Sequence, residues 1–326
     1  MSCDLVTRIR AGERAAVATA LNLLDARERG ARERALPLLE ALTTPGEADD
    51  DNGIRVGLTG APGAGKSTLL DALIAALRAR GSRVGVVAVD PSSQQSGGAL
   101  LADRVRARRA SGDEQGVFRS MAARGRLGGV AAATRAAVDV LAVAYDWVIV
   151  ETVGVGQSEI EVADLVDTLV YVAQPEAGDI LQAMKAGVLE LPHVFVVNKA
   201  DLGLPAERTA QELRRGLALG TAAADAWQPP VLLVAASEDR GIEALVDAIV
   251  AHRASSDAPT RAARRRAGSA RFVATELATR YGSYGLAAIG GTAALDAALT
   301  AAPARHPLAQ VARIGARIEQ ALRNGS

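Results

Sequence analysis

A nine-residue string, GAPGAGKST from Gly60 to Thr68, narrows the folds open to this chain more than any other feature. It follows an apolar run, Ile54 to Thr59, and opens a helical pattern from Lys66 to Arg80, which predicts a strand, a glycine-rich loop and a helix in immediate succession. That order is suited to surrounding an anion. Gly60, Gly63 and Gly65 let backbone amides turn inward with no Cβ in the way, Ala61 and Ala64 complete the loop, and the helix directs its positive end at the same charge. Lys66 adds a point charge for the β and γ oxygens of a nucleotide, Ser67 a hydroxyl for Mg2+ and Thr68 one for the α-phosphate. A glycine-rich helix entry without a ligand is the plain alternative, and the flanking strand and helix argue against it.

A second string, NKAD from Asn198 to Asp201, follows another apolar run, Val194 to Val197, and so falls where a parallel strand ends, the edge at which open α/β sheets bind ligands. Guanine offers N1–H and N2–H2 donors on one edge. The Asp201 carboxylate can accept both, whereas adenine places an acceptor at N1 and leaves the charge unpaired. Asn198 can bond the ring edge and brace the phosphate loop, and the stem of Lys199 can cover the base. Taken alone the tetrapeptide suits any polar turn after a strand; downstream of a phosphate loop it selects guanine over adenine. Ala235, Ala236 and Ser237, where the run Val231 to Ala235 ends, are counted with the nucleotide-binding residues.

Other apolar runs, Val84 to Val89, Trp147 to Val150 and Leu169 to Ala173, alternate with helical stretches. Such alternation predicts an α/β fold of the P-loop NTPase type, a mainly parallel sheet covered by helices on both faces. Helical extensions flank it. Residues 1–50 form an N-terminal extension, with Leu5, Ile9, Val17, Leu21 and Leu24 at helical spacing, and 43–53 a solvated linker carrying Pro45 and Asp49 to Asp51. Residues 51–254 are the nucleotide-binding domain. After a polar interruption at 255–269, helices run from Arg271 to Arg323, so that 255–326 is read as a segment that docks on the core or on a partner chain.

Positive and negative side chains balance at 37 each, which gives no overall basic field to attract nucleic acid or an anionic membrane. The arginine clusters at 104–109 and 261–266 are read as solvated helix faces. A lone cysteine, Cys3, cannot form an intramolecular disulfide, no apolar run approaches the roughly 18 residues a membrane helix needs, and the N-terminus lacks the plan of a signal peptide. The cytoplasm is the expected location.

Between the two strings lie further candidates. Asp90 ends the run Val84 to Val89, where an acid beside a phosphate loop can orient Mg2+ waters or the attacking water; an Asx turn before Pro91 explains it equally well. Gly97 and Gly98, followed by Asp103 and Arg106, suit a loop ordered by the γ-phosphate. Glu151 ends the strand before GVGQSE, where it can hold Mg2+ through water, and Gly154 can bring its amide to the γ-phosphate. The stretch Pro175 to Lys185, with Gly178, Asp179 and Gln182, reads by itself as a strand-to-helix turn with a polar face.

With GAPGAGKST, VDPSS, SGGALLADR, RSMAARGRLGGVA, ETVGVGQSE, AGDILQAMKAG and NKADL in that order, the chain closely resembles the MeaB/ArgK family of GTPases, of the SIMIBI class. These are accessory proteins of adenosylcobalamin-dependent acyl-CoA mutases. The resemblance implies that Asp90, Asp103 and Glu151 surround the metal and the attacking water, that Pro175 to Lys185 is an additional switch, and that Lys185 reaches the nucleotide when a mutase is bound. It further implies GTP hydrolysis to GDP with Mg2+, acceleration by the partner, a homodimer through the C-terminal helices, and gating of cofactor delivery to a mutase, methylmalonyl-CoA mutase being the commoner client. Ala102, Val105, Glu176 and Ala186 depart from the family pattern without removing a proposed ligand. Two other functions fit a phosphate loop. A nickel-delivery GTPase needs clustered Cys and His ligands, where this chain has Cys3 and the scattered His193, His252 and His306. A transport-system kinase uses the same phosphate clamp, but a guanine-selecting NKAD argues against an ATP kinase.

Overall fold

The computed structural model describes residues 2–25, 30–43, 53–90, 116–122, 132–152, 161–175, 190–218, 227–301 and 306–324. They divide into two compact units, one formed by Asn52–Asp257 and the other by Met1–Asp51 together with Ala258–Ser326.

Among the described residues the first unit is built on seven parallel strands: β1 (Ile54–Thr59), β2 (Val84–Asp90), β3 (Gly116–Ala122), β4 (Trp147–Thr152), β5 (Thr168–Ala173), β6 (Val194–Val197) and β7 (Val231–Leu233). Their spatial order is β3-β2-β4-β1-β5-β6-β7. β1 pairs with β4 on one side, Leu58 opposite Glu151, and with β5 on the other, Thr59 opposite Tyr171. Successive strands therefore depart from β1 in both directions, and the loop after β1 opens at the switch point where such sheets hold ligands.

β4, β5 and β6 are buried along their whole lengths, as continuous Val/Ile/Leu runs require in a sheet covered on both faces. On one face, α4 (Lys66–Ala79) contributes Leu69, Leu73 and Leu77, which cluster with Val56, Leu58, Val170 and Val196. The cluster continues through Leu245, Val246 and Ile249 of α7 (Ile242–Ala254). On the other face, α6 (Leu204–Ala218) sets Ala206, Ala210 and Leu213 against Tyr171, Phe195 and Val197. α5 (Ala132–Ala144) lies against β2 and β4 with Val138 and Leu141 fully buried.

Two features escape the sequence pattern. β3, GVFRSMA, breaks its apolar run with Arg119 and Ser120, as an edge strand with a single neighbour can. The polar stretch after residue 255 is not an interruption either. It begins α8 (Ala258–Ala287), where alanine and arginine supply helix propensity without an apolar stripe.

In the second unit, α8, α9 (Gly291–Thr300) and α10 (Pro307–Asn324) enclose Val273, Leu277, Leu295, Leu299, Val311, Ile314 and Ile318. The N-terminal helices α1 (Ser2–Arg10), α2 (Arg14–Asp25) and α3 (Ala31–Leu42) bury Ile9, Val17, Leu21 and Leu39, and α3 touches α10. Among the described residues no helix is long and apolar enough to cross a membrane.

Candidate nucleotide site

The loop between β1 and α4 is drawn tight by its glycines. Gly60 sits at φ 138°, where a Cβ would stand 2.1 Å from the Val172 carbonyl oxygen; at Gly65, φ 83°, a Cβ would stand 2.4 Å from Asn198 Nδ2. Either collision excludes a side chain. Lys66 follows at the helix entry, buried to 7% exposure, its Nζ donating to the Gly60 and Ala61 carbonyls at 2.7 and 2.9 Å. The ammonium is thereby held across the mouth of the loop instead of pointing into solvent.

Ser67, one residue on, donates from Oγ to Glu151 Oε1 at 2.8 Å. The parallel pairing of β1 with β4 puts Glu151 beside the strand that feeds the loop, and the carboxylate is 9% exposed. The Ser67 hydroxyl and the Glu151 carboxylate are hard oxygen donors of the kind Mg2+ takes, the hydroxyl directly and the carboxylate through water. The pair fits the ion. Below it, Thr152 Oγ1 donates to Thr59 Oγ1 at 3.3 Å and fastens β4 to the end of β1.

Asn198 joins three loops. Its Nδ2 donates to the Ala64 carbonyl at 2.9 Å and to the Gly65 carbonyl at 3.3 Å, and its Oδ1 accepts from the Ala236 amide at 3.2 Å. At 3% exposure those bonds are shielded from competing water, so the asparagine fixes the phosphate loop against the turn after β7. Lys199 adopts the left-handed conformation, φ 58° and ψ 40°. Only one other non-glycine among the described residues, Asp239, has a positive φ. This strain turns the chain sharply into the short 3-10 turn Ala200–Leu202, with Asp201 exposed. Ala235 and Ala236 are buried, Ser237 is exposed, and the Ala200 amide is anchored to the Val234 carbonyl at 3.0 Å.

The fold thus brings Gly60, Ala61, Gly63, Ala64, Gly65, Lys66, Ser67 and Thr68 to one strand edge with Glu151, Asn198, Lys199, Asp201 and the 235–237 turn. Asp90 closes β2 at the same edge, its backbone paired with Ala122. Asp103, Gly154 and Lys185 lie outside the described residues. One participant escaped the sequence reading: Gln174, immediately after β5, whose Oε1 accepts from Lys199 Nζ at 3.0 Å. The signal was present, since a polar residue ending an apolar run is what drew attention to Asp90, Glu151 and Asn198.

Across residues 17–281 the chain matches the family described as "Methylmalonyl Co-A mutase-associated GTPase MeaB". It belongs to that family. A protein of Mycobacterium tuberculosis named "Probable GTPase" is 44% identical over 252 residues, 76% of this chain and 74% of its own. GTPase ArgK of Escherichia coli is 38% identical over 257 residues, 76% and 74% of the two chains. The mouse "Methylmalonic aciduria type A homolog, mitochondrial" is 38% identical over 252 residues, 74% of this chain and 61% of its own. The crystal structure of a LAO/AO transport system kinase superposes with a TM-score of 0.70 at 28% identity, covering 97% of each chain. This MeaB-family chain is therefore a P-loop GTPase, a GTP hydrolase whose parallel sheet and flanking helices carry a guanine-nucleotide site.

Proposed function

We propose that the chain hydrolyses GTP to GDP in the service of an adenosylcobalamin-dependent acyl-CoA mutase, with methylmalonyl-CoA mutase the first candidate, and that nucleotide state gates cofactor loading or reactivation of that client. The family description and the name of the mouse relative support the client. The observation that carries the nucleotide chemistry is the Asn198 hub, which ties the phosphate loop to the base-reading turn within one hydrogen-bonded unit.

In this reading the loop amides from Gly60 to Thr68 and Lys66 clamp the phosphates, and Asp201 accepts from the guanine edge while Lys199 covers its face. Ser67 and Glu151, with Asp90 and Asp103, would hold Mg2+, which would supply positive charge to the nucleotide's phosphates. A carboxylate from this set orients the attacking water. Gly154 meets the γ-phosphate, and Lys185 adds its charge when the client is bound. Residues 51–254 form the GTPase domain, 1–50 an N-terminal helical extension and 255–326 a dimerisation segment, and the protein works in the cytoplasm as a homodimer.

The test is GTP and ATP hydrolysis with and without a candidate mutase, alongside Lys185→Ala. Stimulation of GTP hydrolysis by the mutase, lost in the variant, is the expected result. GTP turnover indifferent to every adenosylcobalamin mutase tried sinks the client, and preference for ATP sinks the base assignment.

A further inference from the structure

The contact between Gln174 and Lys199 joins two parts of the site that the sequence keeps 25 residues apart. Gln174 leaves the end of β5, and Lys199 leaves the end of the adjacent β6 in its left-handed turn. Gln174 Oε1 also stands 3.8 Å from the point a Cβ on Gly63 would occupy. One amide oxygen therefore faces the base-side lysine and borders the phosphate loop.

We propose that Gln174 is a positioning residue for the guanine base. Its Oε1 fixes the Lys199 ammonium, so that the four-carbon stem lies extended along the face of the base whose edge Asp201 reads. A lysine side chain has four freely rotating bonds, and ordering them during binding weakens affinity; a stem already anchored by its charged end avoids much of that loss. A neutral acceptor suits the place. A carboxylate beside Gly63 would anchor the lysine equally well but repel the incoming phosphates. Pro175 next in the chain restricts the backbone of Gln174 to extended forms, which limits where its side chain can reach.

This inference deepens the guanine-site assignment and rests on it, and the experiment separates the two. Binding of a fluorescent GDP is measured for the full chain, for Gln174→Met, for Lys199→Met and for the double variant, with inorganic pyrophosphate as a competitor that has no base. Methionine matches glutamine in length, falls one atom short of lysine while keeping most of its apolar stem, and removes the hydrogen bond in either case. Gln174→Met is expected to weaken GDP roughly fivefold and Lys199→Met roughly tenfold, the net scale of one hydrogen bond, with the double variant no weaker than Lys199→Met alone. Pyrophosphate affinity should be the same for Gln174→Met and the unaltered chain. Additive losses in the double variant, or an equal loss of pyrophosphate binding, overturn the positioning role while leaving the guanine site intact. Undiminished GDP binding by Lys199→Met likewise overturns the positioning role, whereas equal affinity of the unaltered chain for GDP and ADP overturns the guanine site itself.

Discussion

Strands β5 and β6 carry polar groups at both ends, and the two ends follow different rules. At the amino ends, Thr168 Oγ1 and His252 Nδ1 share a hydrogen bond at 2.8 Å, the Leu169 amide donates to His193 Nδ1 at 3.0 Å, and Trp227 Nε1 donates to the His193 carbonyl at 2.7 Å. The two imidazoles stack with centroids 4.0 Å apart, and the Trp227 ring meets His252 edge-on at 5.0 Å. His252 is 3% exposed. These side chains satisfy one another and the backbone around them. At the carboxyl ends the polar side chains hold loops instead: Asn198 grips three backbone groups, Gln174 holds Lys199, and the chain accepts left-handed strain at Lys199 to present Asp201 to solvent. Polarity at a strand end does not mark a site by itself. Strained backbone, tight glycines and an exposed reading group at one edge do.

The comparison breaks most readily at Lys66. If the carboxyl edge performs the chemistry, Lys66→Ala should lower GTP turnover by roughly 100-fold or more, the scale of losing one charge-stabilising donor. Phosphate release under saturating GTP checks it, and a loss below about threefold would remove the loop ammonium from the reaction. Asp201→Asn is the next largest. It replaces an acceptor of two base N–H groups with one that also donates, so GTP affinity should fall roughly 100-fold while xanthosine triphosphate gains. Competition between the two nucleotides reads the exchange directly.

Much of this edge was legible in the sequence because its parts are local. GAPGAGKST and NKAD are contiguous strings with chemistry fixed by spacing, and six of the seven strands announced themselves as apolar runs. What escaped depended on contact across the fold. β3 has Arg119 and Ser120 in a strand whose edge position tolerates them. Gln174 stands alone until β5 and β6 lie side by side. His193 and His252 looked scattered because their proximity arises from packing α7 against β5 and β6. The helix from Ala258 was hidden for a different reason, its polar first turns lacking the stripe by which buried helices are recognised.

His252→Ala tests the other half of the comparison. Removing the ring opens a cavity under Trp227 and leaves the Thr168 hydroxyl without its partner, so stability should fall by about 2–4 kcal/mol. Denaturant unfolding supplies the number, and GDP affinity measured well below the transition should be unaltered. A clear loss of nucleotide affinity in a folded variant would mean that the amino edge communicates with the site.

The smallest expected effect lies at the same amino edge. Asp146, just before β4, accepts from the Arg83 amide at 2.8 Å and from Arg83 Nη2 at 3.2 Å. Burial works to raise its pKa, but the side-chain and backbone hydrogen bonds from Arg83, with the guanidinium charge, outweigh it and hold the carboxyl below its ordinary 3.8. A depressed folded-state pKa contributes stability above the unfolded value, and that contribution disappears as pH falls through the folded one. The window therefore lies below about pH 4. Both side chains are over a third exposed, so solvent screening reduces the contribution to a few tenths of a kcal/mol. Asp146→Asn keeps an acceptor for the Arg83 amide and removes only the charge. Its small deficit at neutral pH should shrink steadily in unfolding curves taken at pH values falling below about 4, with GTP turnover at neutral pH the same as in the unaltered chain. A deficit that persists at low pH would assign the contribution to hydrogen-bond geometry rather than charge. A change in turnover would be more damaging, because it would connect the ion pair at the amino end of β2 to the carboxyl edge at the strand's other end.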